Sequence, residues 1–182
     1  MIFNAGSFLA MPRVVQENIM RVAARYPFLK RIVIESRATL ITPEIVKPLL
    51  EILALTGAKL TIRIGVETQD DTLRLKVLRK GHSRRELKRA ASLLRDLGVA
   101  AGGYALLNPA PGLDAVWAAE EAIKTIDWIL AAPEKGLGMH EVYFGPTCVG
   151  PGTPLTRSWE RGEFRPARLS DVSVVLAATL PR

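Results

Sequence analysis

Apolar and polar residues alternate along several short stretches of this chain, most clearly over residues 60–67. A period of two is expected of a β-strand whose two faces meet different surroundings. The apolar positions are Leu60, Ile62, Ile64 and Val66, and the polar positions are Thr61, Arg63, Gly65 and Glu67. Similar patterns predict strands at 1–4, 31–35, 99–107 and 141–145. The strand at 60–67 therefore delivers a carboxylate, that of Glu67, to its C-terminal end.

Apolar residues at helical spacing fill the segments between these strands. A first helix is predicted from Pro12 to Pro27 and a second from Thr42 to Gly57, with a kink expected at Pro48 inside the second. A capping box at 83–86 starts a third helix that Gly98 ends. The segment 113–132 is the fourth. The buried stripe of the first helix is predicted to be Val15, Ile19, Val22, Ala23 and Tyr26, and that of the fourth Val116, Ala119, Ile123, Ile126 and Leu130.

The resulting order, βαβαβαβαβ, predicts a parallel sheet with right-handed crossovers. Two architectures remain open: a doubly wound sheet, or part of a β/α barrel. Polar residues stand at four strand ends, namely Asn4, Glu35, Glu67 and Asn108. Their convergence on one rim favours the barrel, where chemistry lies at the strand C-termini. Alternatively, 60–67 is an edge strand with a solvated polar face.

The chain has 182 residues, a formal net charge of +7 and a pI near 9.9. Its length suits a single domain over 1–182. The excess of positive charge favours an anionic partner such as nucleic acid, although charge runs also solvate helices. The densest basic segment contains Arg79, Lys80, Arg84, Arg85, Lys88 and Arg89.

Cys148 is the single cysteine, so this chain is not expected to ligate a [4Fe–4S] cluster or a cysteine-based zinc ion by itself. We expect no metal site. No signal peptide and no apolar run of bilayer-spanning length is evident, which predicts a cytoplasmic protein with no membrane partner. Cys148 has no evident histidine partner and is interpreted as a structural or incidental thiol rather than a nucleophile.

Several short motifs follow one another along the chain. They are Asn4-Ala-Gly-Ser-Phe-Leu9, Ile34-Glu-Ser-Arg37, Ile64-Gly-Val-Glu-Thr-Gln-Asp-Asp71, Arg79-Lys-Gly-His82, Leu97-Gly98, Tyr104-Ala-Leu-Leu-Asn-Pro109, Pro151-Gly-Thr-Pro-Leu155 and Trp159-Glu-Arg-Gly-Glu-Phe-Arg-Pro166. Their order resembles the radical S-adenosylmethionine superfamily, in its Elp3-like and coproporphyrinogen-oxidase-like group. Within it the chain is similar to the archaeosine synthase beta subunits, which are archaeal tRNA-modifying enzymes.

The resemblance implies a partial radical-enzyme barrel that binds S-adenosylmethionine. It places Gly6 and Ser7 near the methionine amino group, Glu35 facing the site and Glu67 near the ribose. It also places Leu106 to Asn108 beside the adenine. The implied reaction is C–N cleavage of a lysine-adducted 7-deazaguanine in tRNA, which leaves the archaeosine amidine. The implied partners are tRNA and a second subunit or N-terminal segment.

The family carries a Cys-x3-Cys-x2-Cys loop after its first strand, and this sequence starts beyond that point. We therefore expect the first strand and cluster loop to be missing, as in a fragment, a mis-assigned start or half of a split enzyme. One alternative is a catalytically silent tRNA- or partner-binding remnant. Another is an ordinary barrel enzyme acting on a phosphorylated metabolite, which the lack of a late glycine-rich phosphate loop disfavours.

Overall fold

A computed structural model describes residues 1–2 and 6–180. These residues form four strands and six α-helices. Helices and strands alternate along the chain as far as the fourth strand, and the last two helices then follow it. The strands are β1 (Arg31–Ser36), β2 (Lys59–Glu67), β3 (Ala100–Leu107) and β4 (Glu141–Pro146). The helices are α1 (Arg13–Ala24), α2 (Pro43–Ala54), α3 (Arg84–Asp96), α4 (Ala115–Leu130), α5 (Pro154–Glu160) and α6 (Leu169–Thr179).

The four strands form one parallel sheet in chain order, β1-β2-β3-β4. A doubly wound sheet needs a reversal of strand order, and this sheet has none among the described strands. Right-handed crossovers in such a sheet place every connecting helix on the same face. The strands and helices therefore form consecutive β/α units of an α/β fold with a four-stranded parallel sheet.

The two faces of the sheet differ as the alternation of β2 predicts. One face joins the helices in the core through Ile32 and Ile34 of β1 and through Ile62 and Ile64 of β2, all of them buried. The other face is polar. Its central row runs across all four strands, because the Cα atoms pair in the sequence Glu35, Arg63, Gly102 and Glu141.

Local sequence signals account for the starts and ends of several helices. Ser83 accepts a hydrogen bond from the Glu86 backbone N–H while Glu86 accepts one from the Ser83 N–H, so the predicted capping box starts α3. Gly98 has φ 67°, the left-handed conformation that glycine adopts cheaply after a helix. Helix α2 includes Pro48 in its interior.

The predicted stripes of two helices were partly wrong. In α1 the buried side chains are Gln16 and Met20, whereas Val22 and Tyr26 are exposed. In α4 the predicted Val116 and Leu130 are exposed. A polar residue, Glu121, is buried there instead, together with Ala118, Ala122, Thr125, Trp128 and Ile129. Hydrogen bonds override the count of apolar positions in both helices. Gln16 Nε2 donates to the carbonyls of Leu9 and Met11, and the bonds of Glu121 are described below.

Residues 3 and 4 of the strand predicted over 1–4, and with them Asn4, lie outside the described residues. The backbone N–H of Ile2 donates to the carbonyl of Val33 at 2.9 Å, so this residue runs beside β1. Helices α5 and α6 were not predicted. The remaining strands agree with the predicted ranges to within one residue at each end.

Candidate functional site

A cleft of about 550 Å³ opens on the polar face of the sheet, at the C-terminal ends of β1 and β2. It contains four of the predicted site residues: Gly6, Ser7, Glu35 and Glu67. The other residues that line it are Ser36, Arg37, Arg63, Gly65, Lys80, His82 and Tyr104. Strand C-termini are where β/α proteins place their chemistry, so this cleft is the candidate site.

Glu67 enters this cleft from an irregular end of β2. The pairing register with β3 shifts between Gly65 and Glu67, and Glu67 has φ 66°, an uncommon conformation for a residue with a side chain. Its carboxylate folds back over Gly65 and accepts a hydrogen bond from Lys80 Nζ at 2.6 Å. A Cβ at position 65 would lie 2.5 Å from Glu67 Oε1, so glycine provides the space for the carboxylate.

The segment that carries Lys80 is fixed to the end of β2 by a buried arginine. Arg74 lies in a short π-helical turn, Leu73–Val77, and has no exposed surface. It donates to the carbonyls of Thr68 and His82, the latter at 3.0 Å, and pairs with Asp71. Burial lowers the pKa of Arg74, against the opposing effect of Asp71. Arg74 therefore joins the residue after Glu67 to the segment that ends at His82.

His82 makes a second connection between these segments. Its Nε2 lies 3.0 Å from the carbonyl oxygen of Gly65, and its side chain is 1% exposed. The pKa of His82 is lowered because the ring is buried. The hydrogen bond to the Gly65 carbonyl acts in the opposite direction but is the smaller effect. The ring is therefore neutral at pH 7, with a proton on Nε2 to donate to the carbonyl.

Buried Glu121 of α4 supports the same loop from behind. Its carboxylate accepts hydrogen bonds from the Thr68 hydroxyl, from Gln69 Nε2 at 2.9 Å and from the Asp70 backbone N–H at 3.2 Å. Thr125 Oγ1 accepts the backbone N–H of Gln69. These bonds satisfy a carboxylate that would otherwise be too costly to bury, which explains why α4 turns this face inward.

Glu35 reaches the cleft from β1 and accepts a hydrogen bond from the hydroxyl of Tyr104 on β3. Burial raises the pKa of Tyr104, and the bond to Glu35 adds to the increase. Arg63 Nη1 lies 3.4 Å from the same hydroxyl. Three neighbouring strands therefore contribute one polar side chain each to the floor of the cleft.

Two other predicted site residues are not among those that line the cleft. Asn108 follows β3 with φ 52°, and its Nδ2 donates to the Arg165 carbonyl at 2.7 Å. It lines a separate pocket of about 340 Å³ that also contains Asp114 and Asp171. Leu106 is half-buried on β3. The structure thus gathers Gly6, Ser7, Glu35 and Glu67 but not these two.

Seven of the eleven lining residues were not predicted as site residues, among them Arg63, Lys80, His82 and Tyr104. Lys80 and His82 belong to the motif at 79–82, which gave the signal for them, and Arg63 stands on the polar side of the predicted strand. Tyr104 begins the motif at 104–109. A period of two gives the face on which a side chain lies but not its partners, which come from other strands.

The basic segment at 79–89 is divided in the structure. Lys80 pairs with Glu67, Arg89 donates to the backbone carbonyls of Ala38 and Ile41, and the Arg84 guanidinium lies 4.5 Å from the centre of the Trp128 ring. Arg79, Arg85 and Lys88 remain exposed, and Lys76 extends the exposed set. Only part of the segment is therefore available to an anionic partner.

The residues present do not fit an iron–sulfur cluster. Cys148 is exposed and is not among the residues that line the cleft. Across residues 1–2 and 6–180, no group of three or more His, Cys, Asp or Glu side chains could hold a metal ion. A cluster of this type is held by several thiolates.

In the part of the chain that the structure describes, no helix combines the length and apolar character needed to cross a bilayer.

The sequence is similar to curated archaeal proteins. It is 29% identical over 178 residues to archaeosine synthase subunit beta of Methanosarcina acetivorans, covering 96% of this chain and 49% of that protein. The corresponding subunit of Thermococcus kodakarensis is 31% identical over 183 residues, covering 97% and 53%. The chain thus spans about half the length of these relatives. A tRNA uridine(34) acetyltransferase of Methanocaldococcus infernus is 30% identical over 116 residues, 64% of this chain and 20% of that protein.

Solved structures of TsrM, a radical S-adenosylmethionine methyltransferase from Kitasatospora setae, also match. The form with tryptophan and a SAM analogue gives a TM-score of 0.46 at 19% identity, over 76% of this chain and 25% of that one. The form with cobalamin and a [4Fe-4S] cluster gives 0.48 at 18%, over 79% and 26%. No protein-family model matches the chain. By its sequence, the chain is a distant homologue of archaeosine synthase subunit beta.

Proposed function

We propose that this chain is part of a tRNA-modifying radical S-adenosylmethionine enzyme, and that its sheet is a portion of that enzyme's β/α barrel. The proposed reaction is archaeosine formation by C–N cleavage of a lysine-adducted 7-deazaguanine. The observation that carries the proposal is the convergence of Glu35 and Glu67 with Gly6 and Ser7 in one cleft at the strand ends. Homology to archaeosine synthase subunit beta supports the choice of reaction.

The chemistry of the cleft fits S-adenosylmethionine. The cofactor carries an ammonium group, a sulfonium, a carboxylate and a ribose diol. Glu35 and Glu67 supply carboxylate oxygens that accept from an ammonium or from hydroxyl groups, whereas Arg37 and Lys80 supply positive charge for a carboxylate. A volume of about 550 Å³ lies within the range of small-molecule sites.

The protein's part in this function is to bind and orient. When bound, the cofactor supplies hydrogen-abstracting radical chemistry in enzymes of this superfamily. The Arg74 and His82 contacts hold the loop that presents Glu67, so the carboxylate position is set before a ligand arrives. Such preorganisation reduces the entropy lost on binding. The cluster ligands would belong to another segment or subunit, which is the proposed partner of this chain.

The first test is S-adenosylmethionine binding, measured by equilibrium dialysis against radiolabelled cofactor. We expect Glu67→Gln to weaken binding by about tenfold, because a hydrogen bond to a charged group is worth roughly 1.5–3 kcal/mol. The matched control is Glu51→Gln, an exposed glutamate on α2 outside the cleft. Absence of binding by the wild-type chain, or equal affinity of the two variants, would reject the cofactor assignment.

The second test concerns tRNA. We expect weak binding that falls steeply with salt, because each phosphate contact releases condensed counterions. Reversing Lys76, Arg79, Arg85 and Lys88 to Glu should abolish it, since these side chains are exposed. Reversing Arg84 and Arg89 is avoided because both make contacts within the fold. The control reverses four exposed basic residues elsewhere, Arg25, Lys30, Lys47 and Lys135. Equal tRNA affinity of the two quadruple variants would contradict the assignment of this surface.

A second candidate function is a catalytically silent tRNA- or partner-binding module. One observation favours it. Cys148, the single thiol of the chain, is exposed and does not line the cleft, so the chain supplies no thiolate for a cluster beside the candidate site. The two tests separate the candidates. Binding of tRNA without binding of the cofactor supports the silent module, and binding of both supports the enzyme.

A further inference from the structure

Helix α6 exposes an apolar face to solvent. Val175 is the buried residue of Leu169–Thr179. By contrast, Leu169 is 80% exposed, Val174 is 57% exposed, and Leu180, directly after the helix, is 59% exposed. Helices that are apolar on most sides are normally buried, and exposed apolar patches mark interaction sites. The side of α6 that lies away from Val175 therefore has the composition of an interface.

This face carries no ionised side chain. Asp171 is the one charged residue of Leu169–Thr179, and at about 100° per residue it lies within about 40° of Val175 around the helix. Its carboxylate accepts the Arg168 backbone N–H at 2.7 Å and lies 3.5 Å from Arg165 Nη2. Burial of the opposite face therefore desolvates no charge, although the whole chain carries a net charge of +7.

Large and small side chains form two rows on the face. Leu169, Leu176 and Leu180 have the spacing i, i+7 and i+11 and form a ridge along one side. Ser173 and Ala177 are exposed beside this ridge and leave a shallow groove. Ser173 Oγ donates to the Leu169 carbonyl at 2.9 Å, so the hydroxyl keeps a partner when the face is covered. Ridges of one helix pack into grooves of another, and this face contains both.

We propose that α6 is the dimerisation helix of this protein, and that its exposed face packs on α6 of a second copy. A two-fold axis parallel to the two helices places the leucine ridge of each copy against the groove at Ser173 and Ala177 of the other. A symmetric homodimer requires such self-complementarity of a single surface. A surface without charge also brings no like charges together when two basic chains associate.

The dimer leaves the candidate cleft open. Helix α6 packs against α4, and none of the residues that line the cleft belongs to α6. Each copy therefore keeps its own cleft, and dimerisation does not depend on cofactor or tRNA binding. A charged substitution on the exposed face of α6 consequently tests the dimer without changing the candidate site.

Sedimentation equilibrium of the full chain measures the oligomeric state. We expect a mass of twice 19.9 kDa at micromolar concentration. Ala177→Glu should raise the dissociation constant at least about a hundredfold, because two unpaired carboxylates would then be buried near the axis. The matched control is Ala54→Glu, at an exposed alanine at the end of α2, which should leave the mass unchanged. A wild-type mass of 19.9 kDa over the whole concentration range would overturn the proposal.

Two further measurements separate loss of the interface from loss of the fold. Ala177→Glu and Ala177→Lys should each be monomeric, and their equimolar mixture should regain the dimer because opposite charges then face each other. In a Cys148→Ser background, which removes the single native thiol, a short bismaleimide should link two Ala177→Cys chains but not two Ala54→Cys chains. A dimer that persists in Ala177→Glu, a mixture that stays monomeric, or equal linking of the two cysteine variants would reject α6 as the interface.

Discussion

Replacement of Arg74 by Met tests whether the buried guanidinium holds the loop that presents Glu67. The Arg74 side chain is fully buried, and the substitution removes its hydrogen bonds to two backbone carbonyls, those of Thr68 and His82. Each buried carbonyl left without a donor costs about 1–3 kcal/mol. The partner carboxylate, Asp71, is 42% exposed and keeps the backbone N–H of Arg84, so water compensates most of its loss.

We therefore expect Arg74→Met to lower the free energy of unfolding by about 3 kcal/mol, a large part of the roughly 5–15 kcal/mol of a typical domain. Urea unfolding followed by tryptophan fluorescence measures the change. Arg74→Lys should lose less, because an ammonium keeps the charge but cannot repeat the fixed geometry of the guanidinium. Arg85→Met is the matched control at an exposed position and should stay within about 0.5 kcal/mol of wild type. A loss below about 1 kcal/mol in Arg74→Met would refute the reasoning.

Three further predictions follow from the site and from the thiol. The folded-state pKa of His82 lies below its unfolded value of about 6.5 because the ring is buried, so the unfolding free energy should fall as the pH drops below 6.5. His82→Gln should reduce this dependence in urea titrations at pH 5–7, and an unchanged dependence would contradict the assignment to His82. Gly65→Ala should displace the Glu67 carboxylate, because the new Cβ would lie 2.5 Å from Glu67 Oε1. Cofactor binding should weaken while the far-ultraviolet circular dichroism spectrum stays native. Unchanged cofactor affinity would contradict this reasoning. Anaerobic reconstitution should incorporate far less than four irons per chain, because Cys148 is the single thiol, and near-stoichiometric iron would disprove this.

The sequence predicted the parts of the fold that depend on neighbouring residues. The alternation over 60–67 predicted β2 and its polar face, and the capping box at Ser83 predicted the start of α3. It did not predict which side of α4 is buried, because Glu121 is inward only through its bonds to Thr68 and Gln69, about 50 positions earlier in the chain.

The sequence also indicated which of the candidate residues come together, but only in part. Glu35 and Glu67 meet in the cleft because parallel strands end on one rim, which the order of elements already implied. Asn108 departs from the group because its amide bonds to the Arg165 carbonyl, a residue 57 positions later. Lys80 was read as part of a basic surface, yet the irregular end of β2 brings the carboxylate of Glu67 to it. Pairings across the sheet and from distant loops are not encoded in a local period.

The agreement between chain order and sheet order, β1 to β4, has a consequence for how the protein is made. Each new strand can join the edge formed by the strand that left the ribosome before it, so the sheet can grow in one direction during synthesis. Domains commonly fold from the N-terminal side as they emerge. Every strand pair nevertheless has to wait for the intervening helix to be translated, so the growing sheet keeps an unpaired edge until the next strand emerges.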